Sequence, residues 1–417
     1  GSYNLLGQEP NGQGIQTLFK RLSVFRRGWT LEAARMVCGE PNEKDNNLHK
    51  LMEPLLRASL VEVEVLTHDY RFWYLDPVRE FALAELENDG LADETASRHA
   101  RWATDFAERW QPMLLTNEQV TALSRLIAEA DNFRAAFGWA LKQKDPEIAL
   151  RLTSSLWRLM EIKGLYQDGK SYISLALKLP GVKRFPLYRS KALSGLAILA
   201  YRQGDLETSE RCAEKSLALE RKHGTDPAGE ANALNDLGLV ASRRGKLRRA
   251  LGLYTKSLKI NKVKKDHRCI AVSLFNIGSL FIGRGKLDKA ESNVEASLKI
   301  FETTGNQREA AFALNTLGRI KGYRGQYEAA TYCADRSLEI RQNLGDQGGM
   351  AKTMITKASI LIAERAFEAA LDLLAKSGNT FFLVNDEVGV AEVLEQLGAL
   401  ASEQKFYVKS LVLFAAA

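Results

Sequence analysis

The chain has little cysteine, histidine or proline: four, five and nine residues of 417. Cys38, Cys212, Cys269 and Cys333 are scattered without a C-x-x-C pair, and the histidines stand alone. This argues against a disulfide framework and against a zinc site, and separated thiols suit a reducing, cytoplasmic setting. No apolar run approaches the ~18 residues of a membrane span, and no charged-then-apolar signal segment follows the first residues. No Ser-His-Asp, Cys-His or paired-carboxylate arrangement stands out, so no catalytic residue is assigned and no enzyme is expected. Gly1 and Ser2 read as a remnant of tag removal, and the chain as a piece cut from a longer one.

What remains is 45% hydrophobic and 26% charged, the balance of a soluble globular protein with a large core. The net charge of +7 is unevenly spread. Residues 241–270 hold eleven Lys or Arg and one Asp, so the rest of the chain is slightly acidic. Within this run Arg243, Arg244, Lys246, Arg248, Arg249, Lys262, Lys264, Lys265 and Arg268 form a candidate basic patch. It has two readings, a solvated helix face or a surface for nucleic acid or an acidic partner.

Self-similarity is the strongest signal. "LNDLGLVASRRGKLRRALGLYTKSLKI", "LFNIGSLFIGRGKLDKAESNVEASLKI" and "LNTLGRIKGYRGQYEAATYCADRSLEI" superpose residue for residue. Their landmarks recur every 40 residues: Gly238, Gly278 and Gly318; Gly245, Gly285 and Gly325; Ala250, Ala290 and Ala330; Ser257, Ser297 and Ser337. Apolar residues at helical spacing on both sides of the central Gly make each unit a helical hairpin. Small residues at the first and third landmarks let backbones approach closely, and the middle Gly permits a left-handed helix end. The pattern resembles the tetratricopeptide repeat at Leu237-Gly238, Ile277-Gly278, Leu317-Gly318 and the alanines, though its period is longer than the usual 34 residues and the inter-repeat Pro is missing.

That register decides how to read "GLYQDGKS", Gly164 to Ser171, which matches the phosphate-cradling G-x-x-x-x-G-K-[ST] loop. A phosphate loop needs a buried strand before it and a helix starting at its Gly-Lys. Here "EIALRLTSSLWRLMEIK", an amphipathic helix, precedes it, and Gly164 lies 40 residues before Gly204, in the hairpin-turn position. The match reads as coincidence and Lys170 as a solvated lysine.

The first 140 residues differ. "IQTLFKRLSVF", "TLEAARMVCG" and "NNLHKLMEPLLRASL" predict three helices, the second capped by Thr30. "VEVEVLTHDYRFWYL" alternates like a hairpin about His68-Asp69. "DPVREFALAELENDG" predicts a fourth helix with Asp76 as cap, Pro77 in first position and Gly90 beyond its end. Three helices, a hairpin and a helix make a winged-helix domain. Its third helix offers His49, Lys50 and Arg57 against Glu53, a thin basic face for DNA.

These segments, with "RHARWATDFAERW" and "AEADNFRAAFGWALKQKDPEIALRLTSSLWRL" after them, resemble the region following the nucleotide-binding domain of bacterial STAND signalling ATPases. That group includes regulators of the LuxR-like and antibiotic-regulatory types and relatives of apoptotic and plant-resistance ATPases. The resemblance spans essentially the whole chain. It implies that ATP or ADP binds an upstream domain absent here, and that this chain carries no cofactor of its own. In the wider family a Met-His-Asp motif precedes the last winged-helix helix, and its His touches ADP. The matching positions are Tyr74, Leu75 and Asp76. Leu75 cannot donate to a phosphate, and Asp76 has two readings, helix cap and motif relic.

The expected fold is therefore mainly α: a winged-helix domain over 1–92, a helical linker over 93–145, and an α-solenoid of about six hairpins over 146–417, cut short at "LFAAA". The concave side of such a stack is lined by each hairpin's first helix. Counting from the Leu-Gly landmarks, it should present Asn232, Asn235, Arg243, Ser279, Asn315, Arg319, Tyr323 and Lys352, with Phe275 and Phe312 packing into the core. Asn and Arg there suit a peptide's backbone and carboxylates. The expected function is a sensor and autoinhibitory module whose repeats bind a protein or peptide and whose winged helix signals to its own nucleotide-binding domain. The alternative is a DNA-binding regulator using the winged helix and residues 243–268.

Overall fold

The computed structural model describes residues 2–39, 47–66, 69–224, 228–384 and 386–406, with single positions 409, 412 and 416 beyond them. The proposed turn residue His68 and most of "LFAAA" lie outside the described residues. The fold is mainly α, and its helices divide between two compact units.

The first unit comprises residues 1–109 and 125–152. It opens with α1 (Ser2–Leu6), α2 (Gly12–Leu22), α3 (Leu31–Cys38) and α4 (Asn47–Arg57). Strands β1 (Glu62–Leu66) and β2 (Asp69–Trp73) pair antiparallel, with Val63 opposite Phe72. Trp29 extends the ladder by exchanging both backbone hydrogen bonds with Phe72, at 2.8 and 2.9 Å. Thr30 caps α3 by accepting from the Ala33 amide. Next come α5 (Asp76–Asn88), α6 (Ala92–Trp110), α7 (Gln119–Ala128) and α8 (Ala130–Lys142). Asp76 does not cap α5: Leu75 holds the extended cap geometry, and Asp76 and Pro77 are the first two helical residues. The carboxylate still lies in the first turn, where the helix dipole favours it.

The second unit comprises residues 110–124 and 153–417. After α9 (Pro146–Ile162) come α10 (Tyr166–Lys178), α11 (Pro186–Arg202), α12 (Leu206–His223), α13 (Gly229–Arg243), α14 (Leu247–Lys264) and α15 (His267–Ile282). The series continues through α16 (Leu287–Thr303), α17 (Gln307–Tyr323), α18 (Tyr327–Leu344), α19 (Gln347–Ala363), α20 (Phe367–Leu383) and α21 (Glu387–Glu403). From α10 on, each helix packs against the next in sequence, the arrangement of an α-solenoid.

The repeated residues have identifiable physical roles. At the hairpin turns Gly164, Gly204, Gly245, Gly285 and Gly325 all have φ between +66° and +82°, while Arg365 after α19 and Lys405 after α21 hold the same left-handed slot. At Gly238 a Cβ would lie 2.4 Å from the Tyr254 ring, so only hydrogen fits between those helices. The serine landmarks bind across the helix pair: Ser257, Ser337 and Ser377 donate to carbonyls 26 residues earlier, on Ala231, Ala311 and Ala351, at 2.8 to 2.9 Å. Ser297 instead donates within its own helix, to the Val294 carbonyl.

Candidate ligand site in the repeat interior

The site begins with residues from distant repeats that converge inside the second unit. Glu161, on the last turn of α9, is 3% exposed. Its Oε1 accepts from Arg202 Nε and Nη2 on α11, at 2.9 and 2.7 Å. Its Oε2 accepts from Arg308 Nη1 on α17 at 3.2 Å, 147 residues away, and lies 3.7 Å from Arg158 Nη1 on its own helix. Burial alone would raise the Glu161 pKa, but the guanidinium groups of Arg308, Arg202 and Arg158 together outweigh it and hold the carboxyl well below the usual range.

Around this carboxylate sits a second layer. Arg158 also lies 3.7 Å from Glu309. Arg341, on α18, is fully buried; its Nε donates to Ser337 Oγ at 3.2 Å and its Nη1 to Asp346 at 3.3 Å. Burial lowers its pKa to about 10, against the opposing pull of Asp346. The Phe312 ring lies beneath three cations: the guanidinium carbons of Arg341, Arg308 and Arg202 are 4.3, 5.2 and 5.6 Å from its centroid. Phe312, expected in the core, is instead half-buried and part of this platform. Phe275 packs against the apolar cluster of Ala290, Val294 and Leu317.

The residues assigned from the repeat register are placed in three ways. Several join inter-helix polar contacts: Asn235 Oδ1 accepts from Asn276 Nδ2 at 2.8 Å, Asn232 Oδ1 lies 3.8 Å from Cys269 Sγ, and Arg243 donates to the Tyr201 carbonyl at 2.9 Å. Asn315 is half-buried with a buried Oδ1 lacking a hydrogen-bond partner. Lys352 is half-buried, 3.7 Å from Glu392, and burial lowers its pKa. Ser279 is half-buried, while Arg319 and Tyr323 are exposed.

The basic run divides. Lys246, Arg248, Lys262, Lys264 and Lys265 are exposed, while Arg244 and Arg249 share the Glu210 carboxylate. Arg243 and Arg268 are half-buried, and Arg268 lies near enough to Arg158 to help lower its pKa, after burial and against two glutamates. The solvated reading of Lys170 is corrected: its side chain is 21% exposed and its ammonium pairs with Asp205 at 3.4 Å. Gly169, Lys170 and Ser171 lie inside α10, after a helix and a turn.

In the first unit, Asp76 and Tyr74 line a cavity of about 880 Å³ with Arg26, Arg71, Arg79 and Trp73. Arg71 is tied to Glu129 at 2.7 Å, and Arg79 donates to the Ser23 carbonyl. The Tyr74 hydroxyl is spent on the Phe19 carbonyl at 2.7 Å.

The central residues Glu161, Arg202, Arg308 and Arg341 were absent from the groove assignment. One carried a signal: Arg341 stands 40 residues from both Phe301 and Phe381, which are 1% and 0% exposed. The same slot buries Asn261 one repeat before Phe301, so it accepts polar side chains as well as rings, and Arg341 places a charge in it. The others follow from contacts between hairpins, adjacent ones for Glu161 and Arg202 and distant ones for Glu161 and Arg308.

Residues 188–262 match the family model described as tetratricopeptide repeat. Over 230 residues, 54% of the chain, the sequence is 29% identical to proteins named as HTH-type transcriptional regulators in Mycobacterium bovis and Mycobacterium tuberculosis. That alignment takes in 26% of each, so the chain spans about a quarter of the length of the curated relatives it matches. Among solved structures, the chain resembles a STAND protein with a tetratricopeptide repeat sensor from Pyrococcus horikoshii, with TM-score 0.54 and 15% identity over 99% of this chain and 64% of that one. It also resembles the Rap conjugation gene regulator of the plasmid pLS20 in complex with the Phr* peptide, with TM-score 0.58 and 14% identity over 76% and 93%. At these identities the structural likeness is one of fold.

Proposed function

We propose that this chain is the sensor part of a signalling regulator, and that the interior of its repeats receives a peptide or protein segment carrying carboxylates. The observation that carries this reading is the convergence of Arg158, Arg202 and Arg308 on Glu161, with Arg202, Arg308 and Arg341 over the Phe312 ring: planar cations beside an aromatic face suit a carboxylate with an apolar neighbour. A solved relative of the same fold is described in complex with a peptide, which supports a peptide as ligand class. On this reading the first unit is a winged helix that passes the binding event to a nucleotide-binding domain elsewhere in the full protein. Such coupling requires the ligand to prefer one arrangement of that protein over another. The chain itself then neither binds nor hydrolyses ATP.

The test is selection from a library of acidic peptides against the purified chain, followed by calorimetry. Arg158→Ala/Arg202→Ala is expected to weaken the selected peptide at least tenfold. Unchanged affinity, or ATP binding abolished by Lys170→Ala, overturns the reading. A second reading, DNA binding, rests on the exposed Lys246, Arg248, Lys262, Lys264 and Lys265. It requires duplex affinity that falls steeply with salt.

A further inference from the structure

The arginine cage holds more donor capacity than its own acids use. Arg158, Arg202, Arg308 and Arg341 bring four positive charges against Glu161, Glu309 and Asp346. At five N–H groups per guanidinium they present ~20 donors. Three buried donors in this cluster, Arg158 Nε, Arg308 Nε and Arg341 Nη2, have no hydrogen-bond partner, against one such acceptor, Glu309 Oε2. Leaving such groups unpaired inside a protein is costly, so their persistence points to an acceptor that joins them in another state. The Arg158 and Arg202 side chains keep 17% and 27% of their surface exposed, so the cage can be reached.

Glu161 is placed as a guest would be. It enters from the first hairpin, while Arg308 enters from the fifth. The same hairpin meets later repeats nearby: a Cβ at Gly164 would lie 3.3 Å from Val384, and one at Gly348 3.7 Å from the Tyr166 hydroxyl. Glu161 is therefore the acidic member of the charged contact that closes the first hairpin onto α17, with Arg158 facing Glu309 beside it.

We propose that the cage is a binding site for a ligand carboxylate, and that Glu161 is the chain's own stand-in for it. An arriving carboxylate takes the place of Glu161 between Arg202 and Arg308, and the first hairpin is released from α17. This rests on the reading of the repeat interior as a ligand site.

The whole chain serves for the test. Glu161→Ala opens space for a small acid, and acetate titrated at constant ionic strength against chloride is expected to raise the variant's Tm along a saturable curve, leaving wild type unmoved. Equal responses to acetate and chloride overturn the site. Glu161→Gln, which keeps the side-chain shape, guards against a misfolded alanine variant. Tetraglutamate is expected to bind Glu161→Gln at least tenfold more tightly than wild type by calorimetry, and equal affinities overturn the displacement. Acetate rescue with no tetraglutamate binding to any form upholds the carboxylate site and refutes the peptide reading. No effect of either probe on any form overturns both.

Discussion

The cores of the two units are organised around different residues, interlocked rings in the first and alanine and glycine seams between larger side chains in the second. In the first unit Phe19, Phe25, Trp29, Tyr74, His99 and Trp102 meet edge to face or tilted, with ring centroids 5.0 to 5.8 Å apart. In the second, Ala250, Ala290, Ala330 and Ala370 are all fully buried, and glycines face the helices opposite. An irregular domain fills its centre with rings because each fits one unique gap, with aromatic geometry adding specificity. A repeat must pack the same way several times, which favours small residues that let helix backbones approach. The first core should therefore be sensitive to loss of volume and the second to its gain.

The largest effect is expected from Phe25→Ala, since Phe25 is 1% exposed and touches Trp29, His99 and Trp102. Chemical denaturation should show a loss of about 3–5 kcal/mol. A loss below about 1 kcal/mol would mean the ring cluster is not the centre of that core. The converse change, Gly238→Ala, drives a methyl into the buried Tyr254 ring and should cost about 1–3 kcal/mol in the same assay. If Gly238→Ala is neutral, close approach does not explain the repeated glycine.

The smallest effect separates the units by pH. Burial lowers the His99 pKa to about 4, against the hydrogen bond its ring makes to Asn132 Oδ1. The unfolded chain therefore binds the extra proton first, and stability from this residue is lost as pH falls from about 6.5 to 4. Burial raises the Asp236 pKa to about 7, against the Ser194 hydroxyl that donates to it at 2.6 Å. Here the folded chain holds the extra proton, so the contribution is present at low pH and lost as pH rises from about 4 to 7. Each slope should be about 1 kcal/mol per pH unit. Melting curves across pH 4.5–6.5 should show His99→Gln removing the first slope and Asp236→Asn the second, with opposite signs. Slopes of the same sign would contradict the burial of one of them.

How much could be read beforehand depended on whether a residue's partner was near it in sequence or in phase with it. Gly245 and Gly285 announce a left-handed turn because the 40-residue register repeats it, and Thr30 announces a cap because its acceptor role is satisfied three residues away. Asp76 was misplaced by one position because the extended Leu75 could equally close the preceding strand. Lys170 looked solvated because its partner Asp205 belongs to the next hairpin. Phe312 followed the apolar pattern into the core, yet the cations above it come from three different helices.

The period, the hairpins, the turn glycines and the small-residue seams belong to the sequence alone, because each depends on contacts within one repeat or between adjacent ones. The arginine cage belongs to the tertiary structure. Arg202 reaches Glu161 from the adjacent hairpin, but Arg308 and Arg341 join them only because successive hairpins rotate until the first faces the fifth. Small rotations summed over several repeats set that meeting, and no local pattern records the sum.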